Sequence, residues 1–438
     1  MYPTVLLTNT SWWPCAARMA MVLRKIGCSV SAVCPTTGHP LLKTSAVQRM
    51  FPYRAMRPLS SLISAIEAVD PDIVIPCDDR AVDHLHQLYA RFPAASAGKI
   101  SALIERSLGS PASYPVVSSR YNLMSVAQEE GIPLAHTRLV RTVEDLRSWH
   151  TELAYPWVLK ADGTWGGHGV RIAHNRREAE RYFLEMSRPL GVARFAKRWI
   201  ANRDPFWVES WWHRSGPAVT AQPYIAGRPA NCAVACWQGQ VLAGTAVEVI
   251  SAQGLTGSAT IVRVVDSPEM MRASERLARR LGMSGFFGLD FMIEDGSGAL
   301  YLVEMNPRCT PLCNLQLGEG RDLIGALSAQ LSGKPLQASP PVTENDVIAY
   351  FPQSWHWDRK SKLLESSFHD VPWEEPDLVR ELLCLPWPDR SLLARLSNRF
   401  RRTTFEERAA SSGGVFAGAI SKPNAREDRG YANQSERA

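Results

Sequence analysis

The chain has 438 residues, of which 45% are hydrophobic and 21% charged, a composition typical of globular domains rather than of disordered or fibrous chains. This length predicts roughly two to four domains. A formal net charge of +6 is small for such a chain. It suits a small anionic ligand and gives no argument for a nucleic-acid partner.

Two features of the sequence bear on location. No apolar run approaches the roughly 18 residues that a membrane-spanning helix needs, and the first residues lack the layout of a signal peptide. We therefore expect a cytoplasmic protein without a membrane partner.

The sequence contains nine cysteines. The pairs Cys232/Cys236 and Cys309/Cys313 are each separated by three residues, a spacing that is unusual for zinc, and no histidine lies nearby. We expect reduced, buried thiols rather than a structural metal.

The first 110 residues alternate short apolar strands with helices. Pro14 begins one predicted helix and Gly27 ends it. The predicted strands cover residues 4–9, 29–35 and 72–79, and the predicted helices cover residues 14–27 and 59–69. Strands that are apolar throughout favour a parallel sheet covered on both faces. No glycine fingerprint follows the first strand, so a bound dinucleotide is not expected.

The middle of the chain changes character twice. Residues 108–119 have the composition of a linker, and a helix is predicted over residues 121–130. Alternating patterns over residues 218–263 predict antiparallel strands. A helix follows over residues 267–282, with Ser267 as its cap and Gly282 as its end. Met270, Leu277 and Leu281 lie on one face of that helix.

The C-terminal part, after residue 335, differs from the preceding regions in its sequence pattern. We predict a folded appendage over residues 336–408, in which residues 391–402 form a basic amphipathic helix. Docking on the body of the protein is its simplest role, and contact with a membrane or nucleic acid is the less favoured alternative. Residues 409–438 are rich in Ser, Gly, Asn, Arg and Glu and predict a disordered tail.

Residues 285–308 carry the strongest functional signal. Two apolar strands flank the turn at residues 294–298, which predicts a hairpin. With the turn centred on Ser297, Asp290 and Glu304 become cross-strand neighbours, and Asn306 shares their face by strand alternation. Two facing carboxylates in apolar surroundings repel and need neutralising, by a shared proton or by a cation. Two acids and an amide oxygen suit Mg²⁺. The alternative is a surface hairpin whose acids point to water.

A second signal is the segment "LKADGTWGGHGVRI", residues 159–172. Its glycines follow neither the Walker nor the dinucleotide spacing. Lys160 ends an apolar strand, and its ammonium could meet the α- and β-phosphates of a nucleotide. The glycines after it can bring backbone N–H groups close to the outer phosphates. Taken alone, Lys160 is more simply a lysine at the end of a strand; together with the hairpin it predicts a phosphate ligand.

Taken in order, the motifs "DIVIPCDD", "EEGIPLAHT", "YPWVLKADGTWGGHGV", "QPYIAG", "GFFGLDFMI" and "LVEMNPR" resemble those of the ATP-grasp superfamily, and of its carboxylate–amine ligases in particular. The resemblance covers about residues 1–335. It implies an α/β N-terminal Rossmann-like (pre-ATP-grasp) domain over residues 1–110. An α+β ATP-grasp fold of two lobes then occupies residues 111–335, with a lid lobe at about residues 155–225.

The resemblance also implies the site residues. Asp290, Glu304 and Asn306 would hold Mg²⁺ (or Mn²⁺), and Arg308 would act as the catalytic arginine that stabilises the reacting phosphoryl and carboxylate oxygens. The hinge against adenine would be Gln222, Tyr224 and Ile225. The remaining ATP-binding residues would be Arg120, Lys160, Gly163, Thr164, Gly166, Gly167 and Gly169.

Two positions depart from the family pattern. Arg120 stands where the family usually has a lysine; arginine keeps the charge and can still bind phosphate. Gly227-Arg228-Pro229 occupies the place where an acid often contacts ribose, which puts that contact in doubt. Arg263 is a candidate for a catalytic role facing the acceptor, with a salt bridge as the equal alternative.

The family reaction implies the function that we expect. It is an ATP-dependent carbon–nitrogen ligase that joins a carboxylate and an amine, amino acids among the candidates, through an acyl phosphate, with release of ADP and phosphate. The alternatives are a phosphotransferase, a carboxylate–thiol ligase and a non-catalytic ATP-binding sensor. The sequence is compatible with a homodimer but does not determine the oligomeric state.

Overall fold

The computed structural model describes residues 2–92, 98–150, 153–163, 169–187, 216–335 and 340–384. The first stretch alternates strands and helices. Its elements are β1 (Thr4–Thr8), α1 (Cys15–Lys25), β2 (Ser29–Cys34), a 3-10 helix (Pro40–Lys43), β3 (Arg49–Pro52), α2 (Pro58–Val69), β4 (Ile73–Pro76), α3 (Asp79–Arg91) and α4 (Gly98–Leu108).

The four strands form one parallel sheet in the order β3-β2-β1-β4, which confirms the predicted parallel pairing. Side chains alternate across this sheet. Val5 and Leu7 of β1 enter the core that contains α1, whereas Leu6 enters the opposite core beneath α2 and α4. Because both faces are covered, β1 is apolar throughout rather than alternating with polar residues.

The second stretch builds a smaller sheet. Its elements are a 3-10 helix (Pro111–Ser113), α5 (Tyr114–Val117), α6 (Arg120–Glu129), β5 (Arg138–Val140), α7 (Val143–His150), β6 (Trp157–Ala161), β7 (Val170–Ala173), α8 (Arg176–Ser187) and β8 (Val219–Pro223). Four of the strands pair antiparallel in the order β5-β8-β6-β7. Helices α7 and α8 cover this sheet around the buried rings of Trp149 and Trp157.

The third stretch forms the largest sheet. Its elements are β9 (Gly227–Trp237), β10 (Gln240–Ala252), β11 (Ala259–Val265), α9 (Pro268–Leu281), β12 (Gly285–Glu294), β13 (Leu300–Asn306) and α10 (Leu323–Ser332). The Ser267 side chain accepts a hydrogen bond from the Met270 N–H, and Gly282 ends α9 with a left-handed backbone. The predicted cap and end of this helix are therefore confirmed, and Met270, Leu277 and Leu281 are buried as expected.

The C-terminal part contributes directly to the same sheet. It contains β14 (Val347–Ala349), α11 (Gln353–Trp357), a 3-10 helix (Lys362–Leu364), β15 (Phe368–His369) and α12 (Pro376–Leu383). The complete sheet has the order β13-β12-β9-β10-β11-β14-β15. The folded region predicted after residue 335 therefore extends the central sheet rather than standing apart from it. The basic helix predicted over residues 391–402 and the tail lie outside the described residues.

In the part of the chain that the structure describes, no helix is both long and apolar enough to cross a membrane.

Candidate active site

The hairpin of β12 and β13 places the two predicted metal ligands side by side. Asp290 pairs with Glu304 in the strand register, and a bulge follows between Asp290 and Phe291. The turn lies at the predicted position, with the Gly298 N–H donating to the Glu294 carbonyl. The cross-strand pairing inferred from the spacing around Ser297 is therefore confirmed.

Asp290 is held by two amides. Asn231 Nδ2 donates to one carboxylate oxygen at 2.6 Å, and Asn306 Nδ2 donates to the other at 3.1 Å. Burial, and after it the charge of Glu304, raises the pKa of Asp290 to about 6. Asn306 therefore shares the face of Asp290, as strand alternation predicts. A carboxylate that burial and a like charge destabilise in this way is one that a cation would stabilise.

Glu304 contacts a cation from another element. Arg120, the first residue of α6, donates from Nη2 to Glu304 Oε1 at 2.7 Å and contacts Asp162 at 3.5 Å. Burial alone would raise the pKa of Glu304, but the charges of Arg120 and Lys160 outweigh it and lower the pKa. Arg120 therefore balances the charge of one carboxylate of the hairpin.

Lys160 comes from the small sheet and reaches the hairpin. Its Nζ donates to the Val303 carbonyl at 2.9 Å, one residue before Glu304, and only 7% of the residue is exposed. Burial lowers the pKa of Lys160, while the charge of Glu304 acts in the opposite direction. A lysine enclosed in this way is more than a surface residue at the end of a strand.

Arg308 follows β13 and spans two parts of the fold. Its Nε donates to Asp79 Oδ1 at 2.9 Å, and its Nη2 donates to Asn306 Oδ1 at 3.1 Å. Asp79 begins α3 in the N-terminal region. Burial would lower the pKa of Arg308, but the charge of Asp79 outweighs it and raises the pKa. The guanidinium is therefore charged and held in one orientation.

Apart from Lys160, these residues line one cavity of about 330 Å³. This volume lies at the lower end of the range of small-molecule pockets, about 300–1,000 Å³. All three sheet regions contribute to its wall. The charged and amide lining residues are Asp79, Arg80, Asp83, Arg120, Asp162, Asn231, Asp290, Glu304, Asn306, Arg308 and Gln353. Trp13 also lines the cavity.

The glycine segment connects β6 to β7 beside the cavity. Gly163 lines the cavity and has a φ of +68°, a conformation that glycine adopts without strain. The Gly169 carbonyl accepts a hydrogen bond from the Ala161 N–H. The predicted phosphate ligands Thr164, Gly166 and Gly167 lie outside the described residues.

Other predicted residues are not among the residues that line the cavity. Gln222 is buried on β8, and its side-chain amide donates to the Thr137 hydroxyl at 2.8 Å. Tyr224 and Ile225 follow β8, where the Tyr224 N–H donates to the Pro156 carbonyl. Arg263 is half exposed and forms an ion pair with Asp346 at 3.4 Å. The structure therefore brings the hairpin residues together but leaves Arg263 apart from them.

The donor set of the hairpin suits a hard cation. Among the described residues, no group of three or more His, Cys, Asp or Glu could hold a metal ion, so a metal here would rest on two carboxylates and an amide oxygen. Such an oxygen-only set with few protein ligands fits Mg²⁺ bound together with substrate phosphates. The cysteines do not contribute: all nine are free, and eight of them are buried.

The contribution of the N-terminal region was not predicted from the sequence. Asp79 and Asp83 of α3 line the cavity, as does Asn231 of β9. A signal for Asp79 was present, because it follows the carboxyl end of a parallel strand, where ligands of α/β sheets commonly bind. Asn231 gave no such signal, since its role depends on its pairing with Asp290 in the sheet.

Comparison with known proteins identifies the central part of the chain. Residues 120–311 match the family model of an ATP-grasp domain. The large chain of carbamoyl phosphate synthase from Xylella fastidiosa is 24% identical over 253 residues, which are 55% of this chain and 21% of that protein. The chain therefore spans about a fifth of that relative.

Solved structures share the fold. The biotin carboxylase of Campylobacter jejuni, in complex with an ATP analogue, has a TM-score of 0.55 at 16% identity, over 77% of this chain and 72% of that one. The biotin carboxylase domain of the Hydrogenobacter thermophilus 2-oxoglutarate carboxylase, a dimer with bound MgADP and bicarbonate, has a TM-score of 0.54 at 15% identity, over 78% and 72%. Residues 120–311 of this chain therefore match an ATP-grasp domain, and the solved structures share the fold of the chain.

Proposed function

We propose that this protein is an ATP- and Mg²⁺-dependent ligase that joins a carboxylate to an amine through an acyl phosphate and releases ADP and phosphate. The observation that carries the proposal is the single cavity on which Asp290, Glu304, Asn306 and Arg308 converge. Lys160 does not line the cavity, but its ammonium donates to the Val303 carbonyl, one residue before Glu304. Solved structures of similar fold contain an ATP analogue or MgADP, which supports a nucleotide at this position.

In this proposal the hairpin holds the cation. Asp290, Glu304 and Asn306 would bind Mg²⁺, which supplies charge neutralisation for the phosphates of the nucleotide. Arg120 now contacts Glu304 and Asp162, so it can exchange a carboxylate partner for a phosphate oxygen. Mg²⁺ would then replace Arg120 as the counter-charge of Glu304.

Lys160 and the glycine segment would bind the phosphates. The Lys160 ammonium already donates to a backbone carbonyl beside Glu304, and it is held there by burial on β6. The glycine segment from Gly163 to Gly169 would cover the phosphates and exclude water from the acyl phosphate. Gln222, Tyr224 and Ile225 would form the adenine hinge on the neighbouring strand.

Arg308 would stabilise the reacting oxygens. Asp79 fixes its guanidinium at the cavity wall, and the Nη2 that now donates to the Asn306 oxygen would turn to the substrate when that oxygen binds Mg²⁺. The carboxylate substrate would attack the terminal phosphorus, and the acyl phosphate would then react with the amine. Expected substrates are small carboxylates and amines, amino acids among them.

The test is a turnover assay. The protein is mixed with ATP, MgCl₂ and the common L-amino acids singly and in pairs, and phosphate and ADP are measured. We expect phosphate release that requires both a carboxylate and an amine, and a condensed product by mass spectrometry. Asp290→Ala and Glu304→Ala should each lower turnover by at least about 100-fold, because each removes a ligand of the charge-neutralising cation.

The matched control is Asp295→Ala, which removes an exposed carboxylate from the turn of the same hairpin. It should leave turnover unchanged. Full activity in the Asp290→Ala/Glu304→Ala double variant would contradict the metal assignment. Phosphorylated or thioester products would instead indicate a phosphotransferase or a carboxylate–thiol ligase.

One observation favours a second candidate. Arg120 stands at a usual lysine position and forms an ion pair with Glu304, so a cation already neutralises one proposed metal ligand. A non-catalytic ATP-binding sensor would have no need to exchange that partner during turnover. This candidate predicts magnesium-dependent binding of ATP and no ADP release with any acceptor.

A further inference from the structure

Asp83 lines the cavity, but the proposed function gives its carboxylate no role. Five acidic side chains line the cavity: Asp79, Asp83, Asp162, Asp290 and Glu304. Four of them have partners, either Arg308, Arg120, or the amides of Asn231 and Asn306. Within the described ranges Asp83 forms neither a hydrogen bond nor an ion pair. Asp83 is half-buried at the cavity wall, so its carboxylate oxygens are open to a ligand that occupies the cavity.

The helix α3 places Asp83 close to the reacting groups. Asp78 caps this helix by accepting from the Ala81 N–H, and its carboxylate also accepts from the backbone and hydroxyl of Thr10. Asp79 and Asp83 are four residues apart, so they lie on the same helix face about 6 Å apart. Asp83 therefore lies one helical turn from Asp79, the residue that binds the arginine proposed to stabilise the acyl phosphate, and both acids line the same cavity.

The charges around Asp83 favour a cationic ligand. Burial, and then the charge of Asp79, raises the pKa of Asp83 to about 7; Asp78 acts in the same direction and Arg80 in the opposite one. Across the cavity the charged side chains already have partners within the protein. They are Arg120, Asp162, Asp290, Glu304 and Arg308. A carboxylate of this kind can bind an ammonium group and can accept a proton near neutral pH.

We propose that Asp83 binds the ammonium group of the amine substrate and accepts the proton that this group must lose before it attacks. This proposal rests on the ligase function proposed above and assigns the acceptor side of that site to α3. The substrate class is a primary amine that reaches the cavity in its protonated form.

The chemistry balances without a further reactant. The ammonium transfers one proton to the Asp83 carboxylate and becomes a neutral amine. The nitrogen lone pair then forms a bond to the carbonyl carbon of the acyl phosphate, and the bond from that carbon to the phosphate oxygen breaks. Phosphate leaves with the electron pair of that bond and takes the second proton of the nitrogen, which produces the amide.

Hydroxylamine separates the role of Asp83 from the rest of the reaction. It is largely uncharged near neutrality and reacts with an acyl phosphate to form a hydroxamate, so it needs no proton acceptor. The experiment uses the full chain with ATP, MgCl₂ and a carboxylic acid that supports turnover, with either an amino-acid amine or hydroxylamine as acceptor. Asp83→Asn is compared with the wild type and with Asp266→Asn, a control at an exposed position.

We expect Asp83→Asn to lower kcat/KM for the amine by about 100-fold or more, as for other proton acceptors in catalysis. Hydroxamate formation should stay within about threefold of the wild type, since acyl-phosphate formation is intact. Asp266→Asn should change neither rate. A thermal unfolding curve and the affinity for ATP confirm that the variant is folded.

Two outcomes would overturn the proposal, and they differ from a failure of the ligase function. Equal loss of the amine and hydroxylamine reactions would show that Asp83 supports the fold or the first step. An unchanged amine reaction would show that it has no role. If the wild type forms neither amide nor hydroxamate with any carboxylate, the proposed function itself is wrong, and this inference falls with it.

Discussion

Lys160 shows how one side chain can serve both packing and chemistry. Its stem is buried between the small sheet and β13, and among the described residues its ammonium has one hydrogen-bond acceptor, the Val303 carbonyl. An ammonium can donate three hydrogen bonds, so capacity for a further acceptor is built into the site. A phosphate oxygen is the acceptor that the proposed function supplies.

Replacing Lys160 by methionine tests this role. Lys160→Met keeps most of the buried volume and removes the charge, so stability should change little. Affinity for ATP should fall by about 10- to 100-fold, the worth of a hydrogen bond to a charged group. Isothermal titration calorimetry with Mg²⁺ and ATP measures the effect.

The control for this substitution is Lys99→Met. Lys99 is an exposed lysine that forms an ion pair with Asp70 on the surface, far from the hairpin in sequence and outside the cavity lining. It should bind ATP like the wild type. If Lys160→Met and the wild type bind ATP with equal affinity, Lys160 does not bind the phosphates.

At the level of elements, the connection between the N-terminal region and the ATP-grasp domain is closely packed. Gly109 follows α4 and forms a β-bridge with Met283 at the end of α9. Its φ is +93°, and a Cβ atom there would lie 2.0 Å from the Gly282 carbonyl oxygen. The two regions are therefore joined by backbone contact rather than by a free linker.

Gly109→Ala is consequently expected to destabilise the protein by at least about 2 kcal/mol, because the new methyl group meets backbone and the φ angle is strained. Urea unfolding followed by circular dichroism measures this. Gly98→Ala is the matched control. No atom lies within 4 Å of a Cβ at that position, at the start of α4, and its φ is not in the strained range. It should change stability by no more than about 1 kcal/mol.

If Gly109→Ala and Gly98→Ala unfold at the same urea concentration, the bridge to the residues after α9 is not a stabilising contact.

Most boundaries of the helices and strands could be predicted from the sequence. The Ser267 cap, the Gly282 end and the hairpin turn each depend on residues within a few positions of one another. The edge strand β3 was not predicted, because its four residues are all at least partly exposed and begin with a charged residue.

For the whole molecule, the C-terminal part is bound to the N-terminal region by a buried ion pair. Arg18 of α1 donates to Asp370, which also accepts from Asn314 Nδ2 at 3.3 Å. The two charged side chains are only 14% and 10% exposed. Arg18 and Asp370 are 352 positions apart in the sequence, so this contact joins the two ends of the described chain.

Asp370→Ala should destabilise the protein by about 3–5 kcal/mol, since it leaves the Arg18 charge buried without its partner. The double variant Arg18→Met/Asp370→Leu should regain much of that loss, because neither charge is then buried. Chemical unfolding of the single and double variants gives both values. The comparison pair is Arg147–Glu144 on the surface, where Glu144→Ala should cost less than about 1 kcal/mol. A similarly small effect at Asp370 would contradict the importance of this contact.

Short patterns along the chain were enough to predict the features that local geometry controls. A β-strand alternates its faces with a period of two, so the turn around Ser297 was enough to pair Asp290 with Glu304 and to align Asn306 with them. Helix caps and buried strands follow from equally short patterns. These features also carried the resemblance that the family comparison confirmed for residues 120–311.

The packing of distant elements, in contrast, determines which residues complete the site. Arg308 and Asp79 are separated by 229 positions, and Arg120 and Glu304 by 184. Nothing in the spacing of either pair indicates contact, because the order of strands and the packing of helices bring them together rather than the pattern along the chain. The position of Asp83, and with it the acceptor side of the cavity, depends on that packing.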